Sequence, residues 1–221
     1  ETPAEASIHD AYLAWMAENG QYDAMVGAYS RFVRENPSTP ILHWHHGRAL
    51  YARADRLRRD GSFSAAVQAF AKAEAAFGEY AAMVPSHAAA ADQWRGLCCL
   101  QQALTACDGG DHTTAQDRLL RAAELCPALV DHVDGDPQLF AKTAFAIHRA
   151  LAEGGGDALG ATLRWNEQLI ARFPGKFAFV YNNAALAARD LGVQKEQAGD
   201  LAAAKALWER SFTAYERAVE L

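Results

Sequence analysis

The sequence lacks any long apolar run and any basic one. No stretch approaches the eighteen or more consecutive apolar residues of a membrane-spanning helix, so no membrane span is expected. No basic run exceeds the pair Arg58-Arg59, and the formal charge is −6. A phosphate-backbone footprint is therefore missing, which argues against nucleic acid as a partner. Cysteine is sparse, with Cys98, Cys99, Cys107 and Cys126 and no CxxC pair or metal-ligand spacing among them. Cys98 and Cys99, as helix neighbours, point about 100° apart. The four are read as buried thiols acting as small hydrophobes, which favours a reducing, cytoplasmic setting. An initial Glu1 in place of Met is also compatible with removal of a signal, so an exported or periplasmic location stays open. Proline is scarce as well, 7 in 221 residues, and with glycine it is confined to junctions.

What remains is rich in alanine, the best helix former, whose small side chain lets helix axes approach closely. The most regular stretch runs from Trp94 to Pro127. Trp94, Leu97 and Leu104 lie on one side of a first helix, and Asp108-Gly109-Gly110-Asp111 makes the turn. Ala115, Leu119, Ala122 and Leu125 then recur at spacings of three and four, the pattern of one buried helix face, before Pro127 ends it.

Trp-x2-Leu, then Ala-x3-Leu, then a proline resembles the tetratricopeptide repeat, whose helical hairpins carry W-x2-L-G-x2-Y, A-x3-F and a closing Pro. The resemblance extends along the chain. Residues 7–36 form a first hairpin, with Ser7 as N-cap, the stripe Ile8, Tyr12, Trp15 and Met16, a turn at Gly20, and Met25, Tyr29, Phe32 and Val33 before Pro37. Residues 41–84 carry Trp44, Gly47 and Tyr51, a turn at Gly61, and Ala66, Phe70, Ala73 and Phe77. Residues 87–126 hold the most regular copy, with Ser86 as a possible cap. Residues 128–135 read as a linker. Residues 136–173 start with Pro137 in a first turn, place Phe140 where Trp94 stood, turn at Gly154-Gly155-Gly156 and continue to Trp165 and Leu169. Residues 176–221 put Tyr181 in the aromatic slot and Ala204-x3-Trp208 in the second helix. The expected fold is all-α, a right-handed α-solenoid of about five antiparallel helical hairpins, several with lengthened helices. Arrays of this kind need a cap over the last apolar face. The expectation is therefore that the chain is part of a longer protein, or that a further domain or another chain covers Trp208, Phe212 and Tyr215.

No constellation carries chemistry. His43 and His46 of the run His43-Trp44-His45-His46 share a helix face, but no H-E-x-x-H partner accompanies them, and they read as polar neighbours of a packing Trp. Cys98 and Cys99 lie mid-helix among leucines, a setting that raises a thiol pKa. Gly154-Gly155-Gly156 follows a helix rather than a strand and lacks the Lys-Ser/Thr of a phosphate loop. No cofactor or metal is expected.

The resemblance implies function through the first helix of each hairpin, which in the family lines a concave groove. Carried onto this sequence it selects His45, Asp92, Arg95, Gln102, Gln138, His148, Asn182 and Arg189 as groove residues. Asn, Gln and Arg can hold the amides or carboxylate of an extended peptide. Asn182-Asn183 is similar to the asparagines that grip a peptide main chain in some family members, without their basic companions. The implied function is a protein-interaction scaffold binding a peptide or protein segment, not an enzyme. The alternatives are a structural or regulatory module packed against another domain, and a helical small-molecule or metal carrier near His45 and His148.

Overall fold

A computed structural model describes residues 3–131, 139–154 and 157–221 of the chain. The fold is all-α, an assembly of helical hairpins. Its helices are α1 (Pro3–Glu18), α2 (Tyr22–Glu35), α3 (Pro40–Arg59), α4 (Phe63–Met83), α5 (Ala88–Asp108), α6 (His112–Leu125), α7 (Ala128–Asp131), α8 (Leu139–Ala152), α9 (Ala158–Arg172), α10 (Ala178–Gln197) and α11 (Leu201–Glu220). Chain contacts divide them into two compact units, Glu1–Thr143 and Ala144–Leu221.

In the first unit consecutive helices pack on one another from α2 through α6. Leu13 and Met16 of α1, Met25 and Tyr29 of α2 and Ala49 of α3 form one buried cluster. A second joins Leu50, Ala73, Phe77 and Cys98, walled by Trp44, Tyr51 and Trp94. Phe77 is its centre: the Trp44 ring meets it edge-on at 5.2 Å and the Trp94 ring stacks on it at 5.3 Å. Gly47 admits that ring, since a Cβ there would lie 2.9 Å from it. In the second unit Leu163, Ala184, Ala187 and Ala188 form the core between α9 and α10. Trp165 of α9 is buried and donates from Nε1 to the Ala144 carbonyl of α8 at 3.2 Å, which sets the register of that hairpin.

Several local expectations are corrected. α1 begins at Pro3, so Ser7 lies inside the helix rather than capping it; proline is pre-organised for a first turn. Its buried face carries Leu13 and Met16, while Ile8 and Trp15 are 66% and 54% exposed. Ser86 lies within a 3-10 turn, Pro85–His87, that precedes α5. Part of the expected linker is helical, as α7, and its remainder at 132–135 lies outside the described residues, as do Pro137, Gly155 and Gly156. Cys98 and Cys99 are buried, but Cys107 and Cys126, at helix ends, are only half-buried.

Candidate functional site

On α8, Ala144 and Ile147 face inward with no exposed surface. Helical geometry turns the residues between them away from that face, and one of them, Phe145, is 45% exposed. Its ring meets Phe179 of α10 edge-on, centroids 6.2 Å apart. One turn along α8, His148 stacks on Phe145 at 5.8 Å. Phe179 continues into Phe177 at 5.6 Å. The result is an aromatic patch on the first helices of the second unit, partly open to solvent.

A buried amide sets the chemistry of this patch. Asn166 of α9, with no exposed surface, donates from Nδ2 to the Thr162 carbonyl at 2.7 Å and to His148 Nδ1 at 2.9 Å. An accepting Nδ1 places the proton of the neutral imidazole on Nε2. Burial holds the His148 pKa below its ordinary value, so the ring stays neutral at physiological pH. Asn182, exposed one turn beyond Phe179, adds an amide that can both donate and accept. The patch thus combines apolar area with hydrogen-bonding groups at its edge.

The other expected groove residues lie elsewhere. Arg189 is exposed on α10 and paired with Asp190 at 2.8 Å. Asp92 and Arg95 are bonded to each other at 2.7 Å on α5 in the first unit, both partly exposed. Gln138 lies outside the described residues.

Two expectations are corrected by burial. His45 is 1% exposed because the position after Trp44 turns toward the first hairpin, where it stacks on His9 at 4.8 Å. Burial, reinforced by His9 and Arg48 and opposed by Asp10, lowers its pKa to about 4. Gln102 has no exposed surface, on a helix enclosed by α4 and α6. Neither can meet a ligand in an open groove. The other histidines of the run are engaged separately: His43 Nε2 bonds the Pro37 carbonyl at 2.9 Å, and His46 Nε2 the Ser30 hydroxyl at 3.0 Å. Burial pushes the Cys99 thiol up to about 12 and raises Cys98 as well, the reverse of an activated nucleophile.

A separate cleft of about 740 Å³ lies between α9 and α11, floored by Tyr181, Ala184 and Ala188 of α10, with the Arg210–Glu167 ion pair reaching from α11 to α9. Sequence reasoning missed Phe145 and Phe179. The available signal was their position beside His148 and Asn182, outside the slots in which the repeat places its packing aromatics.

No family profile and no curated protein match the chain. Among solved structures it is similar to the crystal structure of MamA protein, with 15% identity and a TM-score of 0.37 over 97% of this chain and 94% of that one. It is also similar to a second MamA crystal structure, with 16% identity and a TM-score of 0.33 over 93% and 95%.

Proposed function

We propose that the chain is a non-catalytic binding scaffold that takes a protein or peptide segment on the first-helix faces of its hairpins. The observation that carries this reading is the contact of exposed Phe145 with half-buried Phe179, with His148 and Asn182 at its edge. Exposed aromatics bordered by adaptable polar groups are the usual makings of a peptide anchor site. An apolar side chain of the partner would cover the rings, while Asn182 and the His148 Nε2 proton would meet its backbone. In the first unit Asp92 and Arg95 offer a charged pair on the equivalent helix. No cofactor enters this function.

The test is selection of binding peptides from a random library on the wild-type chain, followed by affinity measurement on variants. Phe145→Ala is expected to weaken selected peptides about tenfold, corresponding to ~1.4 kcal/mol of anchor energy. Asn182→Ala should weaken them less. Peptides that bind Phe145→Ala and Phe179→Ala as tightly as wild type would refute this placement.

A further inference from the structure

A buried imidazole lies beneath α1. His45 of α3 is 1% exposed, and among the described residues neither Nδ1 nor Nε2 finds a hydrogen-bond partner. Buried polar groups are seldom left so, because the water they gave up is not replaced. α1 supplies two of the ring's neighbours: His9 stacks on it at 4.8 Å, and the Asp10 carboxylate stands 3.9 Å from Nδ1, beyond hydrogen-bond range. The other titratable and charged neighbours are Tyr29 of α2, with ring centroids 6.0 Å apart, and Arg48 of α3, which is ion-paired to Asp10. Tyr29 bonds His9 Nδ1 at 3.0 Å, and burial raises the Tyr29 pKa, so the phenol stays protonated. From the α4 side, Tyr80 and His87 border a cavity that His9 also lines, and they bond each other at 2.7 Å.

α1 itself is lightly held. Among its described side chains Leu13 and Met16 are the buried apolar ones, seated with Met25 and Tyr29 of α2 and Ala49 of α3. Ile8 and Trp15 face solvent. The Asp10–Arg48 pair is open to water on both sides and contributes little, which leaves the His9–Tyr29 bond as the other polar attachment. Elements with few buried apolar contacts open locally, ahead of the global transition. Opening of α1 carries His9 and Asp10 away from His45 and admits water to its ring nitrogens. The closed arrangement therefore disfavours the imidazolium, and the open one accommodates it.

We propose that α1 is an acid-released latch, closed over a neutral His45 and detached from α2 and α3 when that ring takes a proton. Release uncovers Met25, Tyr29 and Ala49 while the helices from α2 to α6 stay folded. The His45 pKa is about 4 under α1 against an ordinary 6.5, so the open state binds more protons and acid favours opening. Linkage then raises the open population up to about tenfold between pH 7.5 and 5.5. The latch lies in the first unit, away from the aromatic patch of the proposed peptide site, so either reading can fail without the other.

Hydrogen exchange read by mass spectrometry on the full chain at pH 7.5 and 5.5 tests the latch, each rate being divided by the intrinsic rate at the same pH. In wild type, α1 amides should be less protected than those of α3 and α4 at both values, and should lose up to about tenfold in protection at pH 5.5. They should also respond less steeply to sub-denaturing urea, since local opening exposes less surface. His45→Gln cannot take the proton, and its α1 protection should be the same at both pH values. Each variant is its own reference, so a uniform loss of stability leaves the comparison intact. Asp10→Asn should keep the wild-type pH response, which separates His45 from the Asp10–Arg48 pair. A wild-type α1 whose protection does not change with pH overturns the proposal. So does a pH response that survives His45→Gln or vanishes in Asp10→Asn. One protection value and one urea slope shared by α1 and α4 overturn it as well, because α1 would then leave only in global unfolding.

Discussion

Replacing Gly47 by alanine should destabilise the first unit, although the same change at Gly27 should stabilise it. Both glycines lie inside helices, where alanine is favoured by ~1 kcal/mol. At Gly27, on the exposed side of α2, a Cβ meets nothing within 4 Å, and the propensity gain should appear nearly whole. At Gly47 the Cβ would stand 2.9 Å from Cε1 and Cζ of Phe77 and 3.1 Å from Cδ1. That ring has no exposed surface, with Trp94 stacked on it and Trp44 against its edge, so it cannot swing aside. Overpacking of this kind costs about 1–3 kcal/mol. Subtracting the propensity gain leaves Gly47→Ala neutral to ~2 kcal/mol destabilising, and the gap between the two variants at about 1–3 kcal/mol. Urea unfolding midpoints at constant slope measure it. A Phe77→Leu change should couple favourably with Gly47→Ala, making the double variant more stable than the sum of the singles. Equal stabilisation by Gly27→Ala and Gly47→Ala would refute the steric argument.

The pKa of His45 is lowered in the folded state, from 6.5 to about 4. Its contribution is therefore present above pH ~6.5 and lost as pH falls toward 4, about 3 kcal/mol in all; His45→Gln should flatten the stability slope across that window relative to wild type. Asp111 caps α6 by accepting from the Thr114 amide at 3.1 Å, so Asp111→Ala should cost ~1 kcal/mol in urea unfolding, whereas a change near zero would show the cap to be idle. Iodoacetamide on the native chain should modify Cys107 and Cys126, which are half-buried, well before Cys98 and Cys99; peptide mapping that finds Cys98 or Cys99 labelled first would contradict their burial.

The all-α class was legible because two signals agree. Apolar residues recur at threes and fours, and glycines stand where the backbone needs positive φ, at Gly20, Gly61, Gly110 and Gly199. The packing aromatics Trp44, Phe77 and Trp94 were legible for the same reason, since the repeat signature marks residues that touch other helices. Helix starts were not, because proline at a first turn and serine as a cap compete for the same few positions, and Pro3 displaced Ser7. The candidate site was legible only in part. His148 and Asn182 stand at the patch, but His45 and Gln102 are marked only by proximity to an aromatic slot, and a neighbour of that slot can turn either outward or into the next hairpin. Which it does depends on how helices of 20 or 21 residues, as in α3 and α5, are covered along their added turns.

That failure has a physical direction. A repeat signature is a record of contacts, so residues found by it are biased toward burial, and binding residues must be sought among large side chains that break the record. Phe145, Phe212, Ile8 and Trp15 all do so. Each is large and apolar, and each is at least 45% exposed. Soluble chains tolerate single exposed apolar residues without consequence, and the informative feature is their grouping. Phe145 joins Phe179 and His148 within one unit, whereas Phe212 belongs to a seam with Leu201, Trp208 and Val219, and Ile8 and Trp15 share one face of α1. A single aromatic patch beside hydrogen-bonding side chains suits a short segment, and a full-length helical seam suits another helix. Phe145→Ala should therefore disable the patch while leaving the α11 face unchanged.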